Sequence, residues 1–490
     1  MTPSPTAGAL LLADAPQMFR HHISLMHGWV PITVQVLAGL TVLVALGIRT
    51  RRWWVVSLPI LIGAGVGLAA ITHQFISTGG YAGDPAPHGL WIWTAMTGLA
   101  AVLVVLGWRN VRWWRRAASL MAVPLCLLSA GLALNLWVGY FPTVQTAWNQ
   151  LTAGPLPDQT DQGTVTAMVA SVAQTRLLPA HGSVLKVDIP SDGSHFKHRD
   201  ELVYLPPAWF GDHVAPLPTV MMIGGEFNTP GDWLRTGDAI TTIDNFAAAH
   251  HGNAPVLVFV DSGGTFNNDT ECVNGPRGRA ADHLVNDVRP FIIDRFHVSA
   301  SPTNWGIAGW SMGGTCAVDL VTMHPDKFSA FENIAGDMSP NSGNKEQTVA
   351  RLFGGDQAAW ASFDPATIIT KHGKYEGISG RFDVNGTTRT AHGPAVIEAA
   401  VGNLPGASDQ MAAAQTLCGL GKANGIDCAI VEQPGNHDWP YAARAFATSL
   451  PWLAGVIGTP GVTKVPVGYS DIPTNLDQRN NQHPVQAEGR

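Results

Sequence analysis

One serine lies in a pattern that is typical of a catalytic nucleophile. Residues 309–313 read Gly-Trp-Ser-Met-Gly and match G-x-S-x-G, in which the serine occupies a tight turn from a strand to a helix. The strand-like run WGIA precedes this turn, and the run GTCAVDLVTMHP, which has the small residues of a helix start, follows it. We therefore expect Ser311 to attack a carbonyl carbon and to form an acyl-serine intermediate.

A serine hydroxyl needs a histidine base, which an acid orients. Of the 18 histidines, His437 is placed best, because it lies between the strand-like run CAIVEQ and a closing helix. Three carboxylates compete for the acid: Asp383, Glu398 and Asp409. We prefer Asp383, at the end of the strand-like run YEGISGRF, while Glu398 stays an alternative and Asp409 also suits a helix N-cap.

An acyl-transfer site also needs two backbone N–H groups directed at the developing oxyanion. The residue after the nucleophile, Met312, is expected to supply the first of them. The second should come from the loop after the strand-like run TVMMIGG, which favours the N–H of Glu226.

Strand-like runs and helical patterns alternate over residues 181–458. SVLKVDIP and ELVYLPPAW predict a hairpin, and TVMMIGG, PVLVFVDSGG, WGIAGWS, FSAFENIAG, YEGISGRF and CAIVEQPG predict further short strands. Such a rhythm is typical of a mostly parallel sheet with helices on both faces. We expect this catalytic domain to be followed by a flexible tail at residues 459–490.

The N-terminal third is apolar enough to cross a membrane. Four apolar stretches cover about residues 31–48, 53–76, 90–108 and 118–141, and each approaches the length that a bilayer requires. We expect an N-terminal segment at residues 1–30, a four-helix transmembrane anchor at residues 31–145 and a polar linker at residues 146–180. The lipid bilayer is therefore an expected partner.

Arginines set the expected orientation of this anchor. They cluster in the loops after the first and third stretches, at positions 49, 51 and 52 and at positions 109, 112, 115 and 116. Loops rich in basic residues stay cytoplasmic. We therefore expect a multi-pass protein of the plasma membrane with its catalytic domain on the extracytoplasmic side.

Composition and motifs argue against nucleic acid, a metal ion or another cofactor as a partner. A net charge of −7 provides no basic surface for nucleic acid. His195 and His198 have no further ligands at metal spacing, so we expect no zinc site, and no motif indicates another cofactor. No pattern indicates an oligomeric state.

The five cysteines suggest at least one disulfide outside the cytoplasm. Cys418 and Cys428 flank a short connection between a helix and a strand, and we expect them to pair. Cys272 and Cys316 form either a second bridge or two free thiols, while Cys126 lies in an apolar stretch as a small hydrophobic residue.

The residues around Ser311 and His437 resemble the putative-esterase family of α/β hydrolases, which includes enterochelin-type esterases, S-formylglutathione hydrolases and mycolyltransferases. RDELVYLPPAW, GWSMGG, HPDKFSAFENIAGDMSPN and GNHDWPY carry the resemblance, over about residues 183–455. It implies an α/β-hydrolase fold with Ser311 as nucleophile, His437 as base and Met312 as oxyanion donor. ISGRFD is similar to the aspartate segment of most members, whereas PAVIEA is similar to the glutamate segment of mycolyltransferases. The four-helix anchor is similar to that of actinobacterial membrane esterases.

These features predict a membrane-anchored serine hydrolase of carboxylic esters. An acyltransferase that moves the acyl group to a sugar or lipid hydroxyl would use the same nucleophile and base, so an ester or an acyl lipid is the expected substrate. A sensor or structural membrane protein with an inactive hydrolase domain is a third alternative, and the intact serine turn argues against it.

Overall fold

The structure is a computed structural model that describes residues 23–79, 86–108, 111–152, 156, 158–211, 215–265, 267–386 and 406–470. Its N-terminal part contains four long apolar helices, each long enough to span a bilayer. They are α1 (Trp29–Leu46), α2 (Arg51–Gly79), α3 (His88–Gly107) and α4 (Trp113–Val138).

Two observations explain why these helices suit a membrane. Large apolar side chains face outward along them, and Ile71 and Val105 are 69% and 74% exposed. Water would disfavour such surfaces, whereas lipid chains solvate them. Helices α2 and α3 also pack closely, since a Cβ atom on Gly98 would lie 2.8 Å from the carbonyl oxygen of Ala64. Small residues at such contacts are typical of membrane helices.

The rest of the chain alternates strands with helices. The strands are β1 (Gln159–Thr160), β2 (Ser183–Val187), β3 (Glu201–Leu205), β4 (Thr219–Ile223), β5 (Val256–Val260), β6 (Asn274–Gly275), β7 (Gly278–Arg279), β8 (Trp305–Trp310), β9 (Ala330–Ile334), β10 (Ser379–Gly386) and β11 (Asp427–Pro434). The helices are α5 (Val144–Leu151), α6 (Gln162–Thr175), α7 (Asp232–Arg235), α8 (Ala239–Ala249), α9 (Ala280–Asp282), α10 (Arg289–Phe296), α11 (Met312–Met323), α12 (Lys345–Phe353), α13 (Gln357–Ala361), α14 (Pro365–His372), α15 (Gly406–Ala423) and α16 (Trp439–Val456). A π-helical segment, His283–Val288, joins α9 to α10.

Nine strands form one sheet in the order β1-β2-β3-β5-β4-β8-β9-β10-β11. Strands β2 and β3 form the antiparallel hairpin that the sequence predicted, and β3 also pairs antiparallel with β5. From β5 to β11 all neighbours are parallel. The predicted α/β-hydrolase class with its mostly parallel central sheet is therefore confirmed.

The sheet is buried on both faces, which explains its nearly continuous apolar strands. Alternate residues of β4 enter different cores: Met221 packs in one core with α10, α11, α14 and α15, and Met222 packs in the other with α8 and α16. This alternation follows from the two-residue period of a strand. Helices on both faces hold the carboxyl ends of the parallel strands at one edge.

The segment expected to be a linker, residues 146–180, contains regular structure. Helix α6 lies within it, and the N-cap of this helix, Asp161, accepts a hydrogen bond from the backbone N–H of Thr164. Strand β1 pairs with β2 and so joins the main sheet. Of the expected tail, residues 471–490 lie outside the described residues.

Candidate active site

Ser311 lies on a strained turn between β8 and α11. Its φ is 57° and its ψ is −121°, a conformation that side chains rarely adopt. A Cβ atom on Gly309 would lie 1.8 Å from the carbonyl oxygen of Gly313, and one on Gly313 would lie 2.4 Å from that of Ile223. The two glycines of the motif are therefore required by close packing between β8, α11 and β4.

The turn occupies the switch point of the sheet. From β4 the chain enters β5 on one side, and it later returns to β8 on the other side of β4. The loops after β4 and β8 therefore diverge and leave a crevice at the carboxyl ends of these strands, where α/β proteins bind their ligands. A Cβ atom on Gly225, just after β4, would lie 3.1 Å from that of Ser311.

The structure brings His437 to Ser311. The Nε2 atom of His437 lies 2.9 Å from the Oγ atom of Ser311, and the Trp310 ring packs 4.3 Å from the imidazole, centroid to centroid. Loss of hydration lowers the pKa of His437 to about 4. The imidazole is thus neutral at pH 7 and available as a base.

The other imidazole nitrogen is engaged by an amide that sequence analysis missed. Nδ1 of His437 lies 3.1 Å from Nε2 of Gln410, a residue near the start of α15. An amide N–H donates only to an unprotonated Nδ1, so this contact suits the tautomer with its proton on Nε2. A triad base instead needs Nδ1–H to face an acid.

Asp383 is not brought to His437, which corrects the preference for it as the acid. Strand β10 continues to Gly386, so Asp383 lies inside the strand and is fully buried. Its carboxylate accepts hydrogen bonds of 2.8 and 2.9 Å from Arg381 and one of 3.1 Å from Gln433. Burial raises the pKa of Asp383, while the Arg381 guanidinium opposes that rise.

The two other acid candidates remain predictions. Glu398 lies outside the described residues. Asp409 is the fourth residue of α15 and therefore not its N-cap, and its side chain also lies outside what is described. Gln410, the next residue along α15, reaches His437, so the start of this helix approaches the base.

We expect Asp383→Asn to act on stability. Removing one partner of a buried ion pair leaves Arg381 uncompensated, which costs about 3–5 kcal/mol. Thermal unfolding of the purified full chain in detergent should show a large fall in Tm. Adding Arg381→Met removes both charges and should restore part of the loss, so a double variant no more stable than Asp383→Asn would contradict this role.

The proposed oxyanion donors flank the nucleophile. Met312 is the first residue of α11, and N–H groups of a first helical turn have no partner within the helix. Glu226 follows Gly225 in the loop after β4, and both residues line the same pocket as Ser311. Their positions are compatible with two N–H groups near a substrate carbonyl.

This pocket has a volume of about 350 Å³ and two different walls. One is apolar and contains Trp310, Met312 and Trp439. The other contains carboxylates from three loops, of which sequence analysis named only one residue, Glu226, and that for its backbone N–H. They belong to Glu226, Asp269, Glu271 and Asp337.

Burial makes this acidic wall unusual. Burial first, and then the charge of Asp269, raises the pKa of Glu271 well above its usual range. Burial also raises the pKa of Asp269 to about 6. Glu271 Oε2 and Asp269 Oδ1 are buried and have no hydrogen-bond partner within the described ranges. Burial thus favours the protonated form of Glu271, which can donate a hydrogen bond.

Two further residues of the pocket come from the apolar helix α4. Trp137 and Val138 form the last turn of α4 and line the pocket together with Ser311 and His437. No signal in the sequence connects them to the site, because nearly 300 positions separate Val138 from His437. Only the packing of α4 against the catalytic domain brings these two residues to the pocket.

Two disulfides brace the region. Cys418–Cys428 joins α15 to β11, as expected from the sequence. Cys272, the residue after Glu271, forms a disulfide with Cys316 of α11. Of the two alternatives, the structure therefore contains the second bridge and not two free thiols. The second bridge ties the acidic wall to the helix that begins after Ser311.

One group of residues outside this pocket could hold a metal ion. Ligand atoms of His198, Glu201 and His283 lie within 4.8 Å of one another, a proximity that the sequence spacing could not show. Glu201 Oε1 lies 2.9 Å from Nε2 of His283 and 3.2 Å from Nδ1 of His198. The hydrogen bond to Glu201 raises the pKa of His198 to about 9. These ion pairs explain the cluster, and we assign it no ion.

Several known proteins are similar to this chain in sequence or structure. An uncharacterized protein of Corynebacterium glutamicum is 30% identical over 267 residues, which cover 53% of this chain. The match spans 58% of the length of that relative. Among solved structures, an S-formylglutathione hydrolase from Agrobacterium tumefaciens is similar at 16% identity, covering 58% of this chain and 98% of its own, with a TM-score of 0.45. A ferulic acid esterase is similar at 18% identity, covering 56% and 99%, with a TM-score of 0.43.

A family model gives the broader assignment. The model described as "Putative esterase" matches residues 197–453, which is more than half of the chain. The matched region begins just before β3 and ends within α16, so it includes the Ser311 turn, His437 and the parallel part of the sheet. The resemblance inferred from the sequence motifs is thereby confirmed, and the chain belongs to the putative esterase family.

Proposed function

We propose that this protein is a membrane-anchored serine hydrolase of carboxylic esters. The observation that carries the proposal is the 2.9 Å contact between His437 Nε2 and Ser311 Oγ at a strained turn. Neutral His437 takes the hydroxyl proton while Ser311 Oγ bonds to the substrate carbonyl carbon. The ester C–O bond then breaks, and the leaving alcohol takes the proton from His437. Water repeats the sequence on the acyl-serine and releases the acid.

Nδ1 of His437 contacts Gln410 in this structure, whereas an acid at this nitrogen would orient the base and stabilise the imidazolium. We propose Glu398 for this role, with Asp409 as the alternative. The N–H groups of Met312 and Glu226 stabilise the oxyanion. Met312 and Glu226 both line the pocket that contains Ser311, which supports this role.

Labelling with a fluorophosphonate probe tests the proposal directly. The full chain in native membranes should become labelled, and Ser311→Ala should not, because the probe bonds covalently only to an activated serine. The labelled peptide should contain Ser311 when analysed by mass spectrometry. An unlabelled wild-type protein that is folded, or a labelled Ser311→Ala variant, would refute the assignment.

We also propose that the catalytic domain faces the extracytoplasmic side of the plasma membrane. Arg49 and Arg115 meet at one end of the helix bundle, where Arg49 donates to the carbonyl oxygen of Gly107 and Arg115 to that of Leu46. The catalytic domain contacts the opposite end, which supports the orientation inferred from basic loops.

A reporter fused after about Pro142 should therefore act outside the cytoplasm. Alkaline phosphatase, which needs oxidising conditions, should be active there, and green fluorescent protein exported unfolded should be dark. The matched fusion after Arg49 should give the reverse result. A cytoplasmic readout after Pro142 would mean that the number of spans is not four.

Acyl transfer to a hydroxyl acceptor is the second candidate, and the acidic wall favours it. Glu271, whose protonated form burial favours, can donate a hydrogen bond to a hydroxyl-bearing acceptor, and Asp269 Oδ1, which has no hydrogen-bond partner among the described residues, can accept one. The acyl-serine intermediate would then release its acyl group to that acceptor instead of water. Product analysis with and without added alcohols distinguishes the reactions, since transfer gives a new ester in proportion to acceptor concentration.

A further inference from the structure

The outer end of α4 touches the catalytic histidine itself. Gly139 caps this helix at a φ of 68°, and a Cβ atom there would lie 2.8 Å from the carbonyl oxygen of His437. Trp137 and Val138, immediately before it, line the pocket. The membrane helix therefore forms part of the active-site wall, beyond its role in holding the domain at a bilayer.

Polar contacts hold the catalytic domain against the anchor. The hydroxyl of Tyr140 donates to the carboxylate of Asp232, with 2.9 Å to each oxygen. Arg351 donates to the carbonyl oxygen of Ser77, near the end of α2, at 2.6 Å. These two contacts involve different helices of the bundle, so they fix the domain at two separate points and keep the pocket near the bilayer surface.

The pocket is apolar on the side of α4 and acidic on the side of the catalytic domain. Its apolar wall includes Trp137 and Val138 of the membrane helix, and its acidic wall belongs to loops of the catalytic domain. The indole N–H of Trp137 is buried and has no hydrogen-bond partner in the described part of the chain. An amphiphilic ester would place its acyl chain along α4 and its head group against the carboxylates. Asp269 pairs with Arg277 at 3.1 Å, yet the charges of Asp269, Asp337 and Glu226 all raise the pKa of Glu271, so the potential at this wall is negative. An anionic head group would therefore be repelled there.

We propose that the substrate is an acyl ester that resides in the outer leaflet, has a head group without negative charge and reaches Ser311 along the end of α4. This inference deepens the proposed function and rests on it. The bilayer supplies the acyl chain from the side on which Trp137 lies, so the ester need not cross water. Its carbonyl carbon then meets Ser311 between the two walls.

The test uses the full chain reconstituted in phosphatidylcholine vesicles. Palmitoyl glycerol in the vesicles represents the neutral membrane ester, palmitoyl lysophosphatidylglycerol the anionic one, and p-nitrophenyl acetate a soluble ester. We expect the neutral lipid to be hydrolysed faster than the anionic one. Trp137→Ala should lower kcat/KM for palmitoyl glycerol by about tenfold or more, as the loss of a tryptophan anchor at a binding surface typically does.

The same variant should affect p-nitrophenyl acetate by a clearly smaller factor, because acetate has no chain to lie along α4. Trp148→Ala is the matched control, since Trp148 is 64% exposed and lies outside the pocket. Equal losses on both esters, or faster hydrolysis of the anionic lipid, would overturn the proposal. If wild type hydrolyses only the acetate, the lipid proposal fails and the proposed function stands. If it hydrolyses none of them and the probe leaves Ser311 unlabelled, both fail.

A second variant keeps the test informative if Trp137→Ala does not fold. Gly139→Ala places a methyl group against the His437 carbonyl, and it should lower the rate at which the probe labels Ser311. Gly131→Ala, in the same helix, meets nothing within 4 Å and should label at the wild-type rate. Equal rates in the two folded variants would show that α4 does not contact the catalytic loop.

Discussion

Ser311→Ala is expected to lower kcat for a soluble ester by about 10⁶-fold, and His437→Ala by a similar factor. The serine and its base act as one unit, because the hydroxyl attacks only as His437 takes its proton. The double variant should therefore be no slower than either single variant. Steady-state hydrolysis of p-nitrophenyl acetate by the full chain in detergent measures all three.

Ser301→Ala is a suitable control, because Ser301 is an exposed serine that precedes the amino end of β8, whereas Ser311 follows the carboxyl end of this strand. It should retain wild-type kcat. Melting curves must show that each slow variant is folded. Losses that multiply in the double variant would mean that Ser311 and His437 contribute independently, which the 2.9 Å contact between them does not allow.

Glu398→Gln is expected to lower kcat by about 10⁴-fold, the loss seen when the acid of a serine-protease triad becomes an amide. The carboxylate would hold Nδ1–H of His437 and stabilise the imidazolium that forms during the reaction. Asp409→Asn should retain most activity if Asp409 only interacts with the start of α15. The reverse outcome would assign the acid to Asp409.

The pH dependence of kcat/KM provides an independent readout. Loss of hydration alone lowers the pKa of His437 to about 4, whereas a carboxylate at Nδ1 would raise it. Neutral His437 is the base, so activity disappears as pH falls through this pKa. The acidic limb of wild type should therefore lie at higher pH than that of Glu398→Gln. Coincident limbs would exclude Glu398 as the partner.

Local patterns in the sequence were sufficient for the elements and for the serine turn. The apolar strands and four long apolar helices follow from short-range periodicity, and the Ser311 turn follows from two glycines that permit it. His437 could be selected from 18 histidines because its loop precedes a closing helix. Each of these inferences depends on neighbours within about one element.

The acid shows where such reasoning fails. ISGRFD resembles a strand end, yet β10 pairs with β9 as far as Asp383 and with β11 as far as Gly386, which keeps Asp383 inside the sheet. Arg381 lies two residues earlier on the same face of the strand, and it binds the carboxylate there. The partner of a carboxylate thus depends on strand length and on packing against α16, neither of which a motif specifies.

The sequence by itself determined the family, the four apolar spans, the α/β sheet, the serine turn and the Cys418–Cys428 pair, because each depends on local spacing. Only the tertiary structure decided that Cys272 pairs with Cys316, that carboxylates from separate loops form one wall, and that Trp137 borders the pocket of Ser311. These contacts join residues from distant parts of the chain. Their formation depends on how helices and sheet pack in three dimensions, which no local pattern encodes.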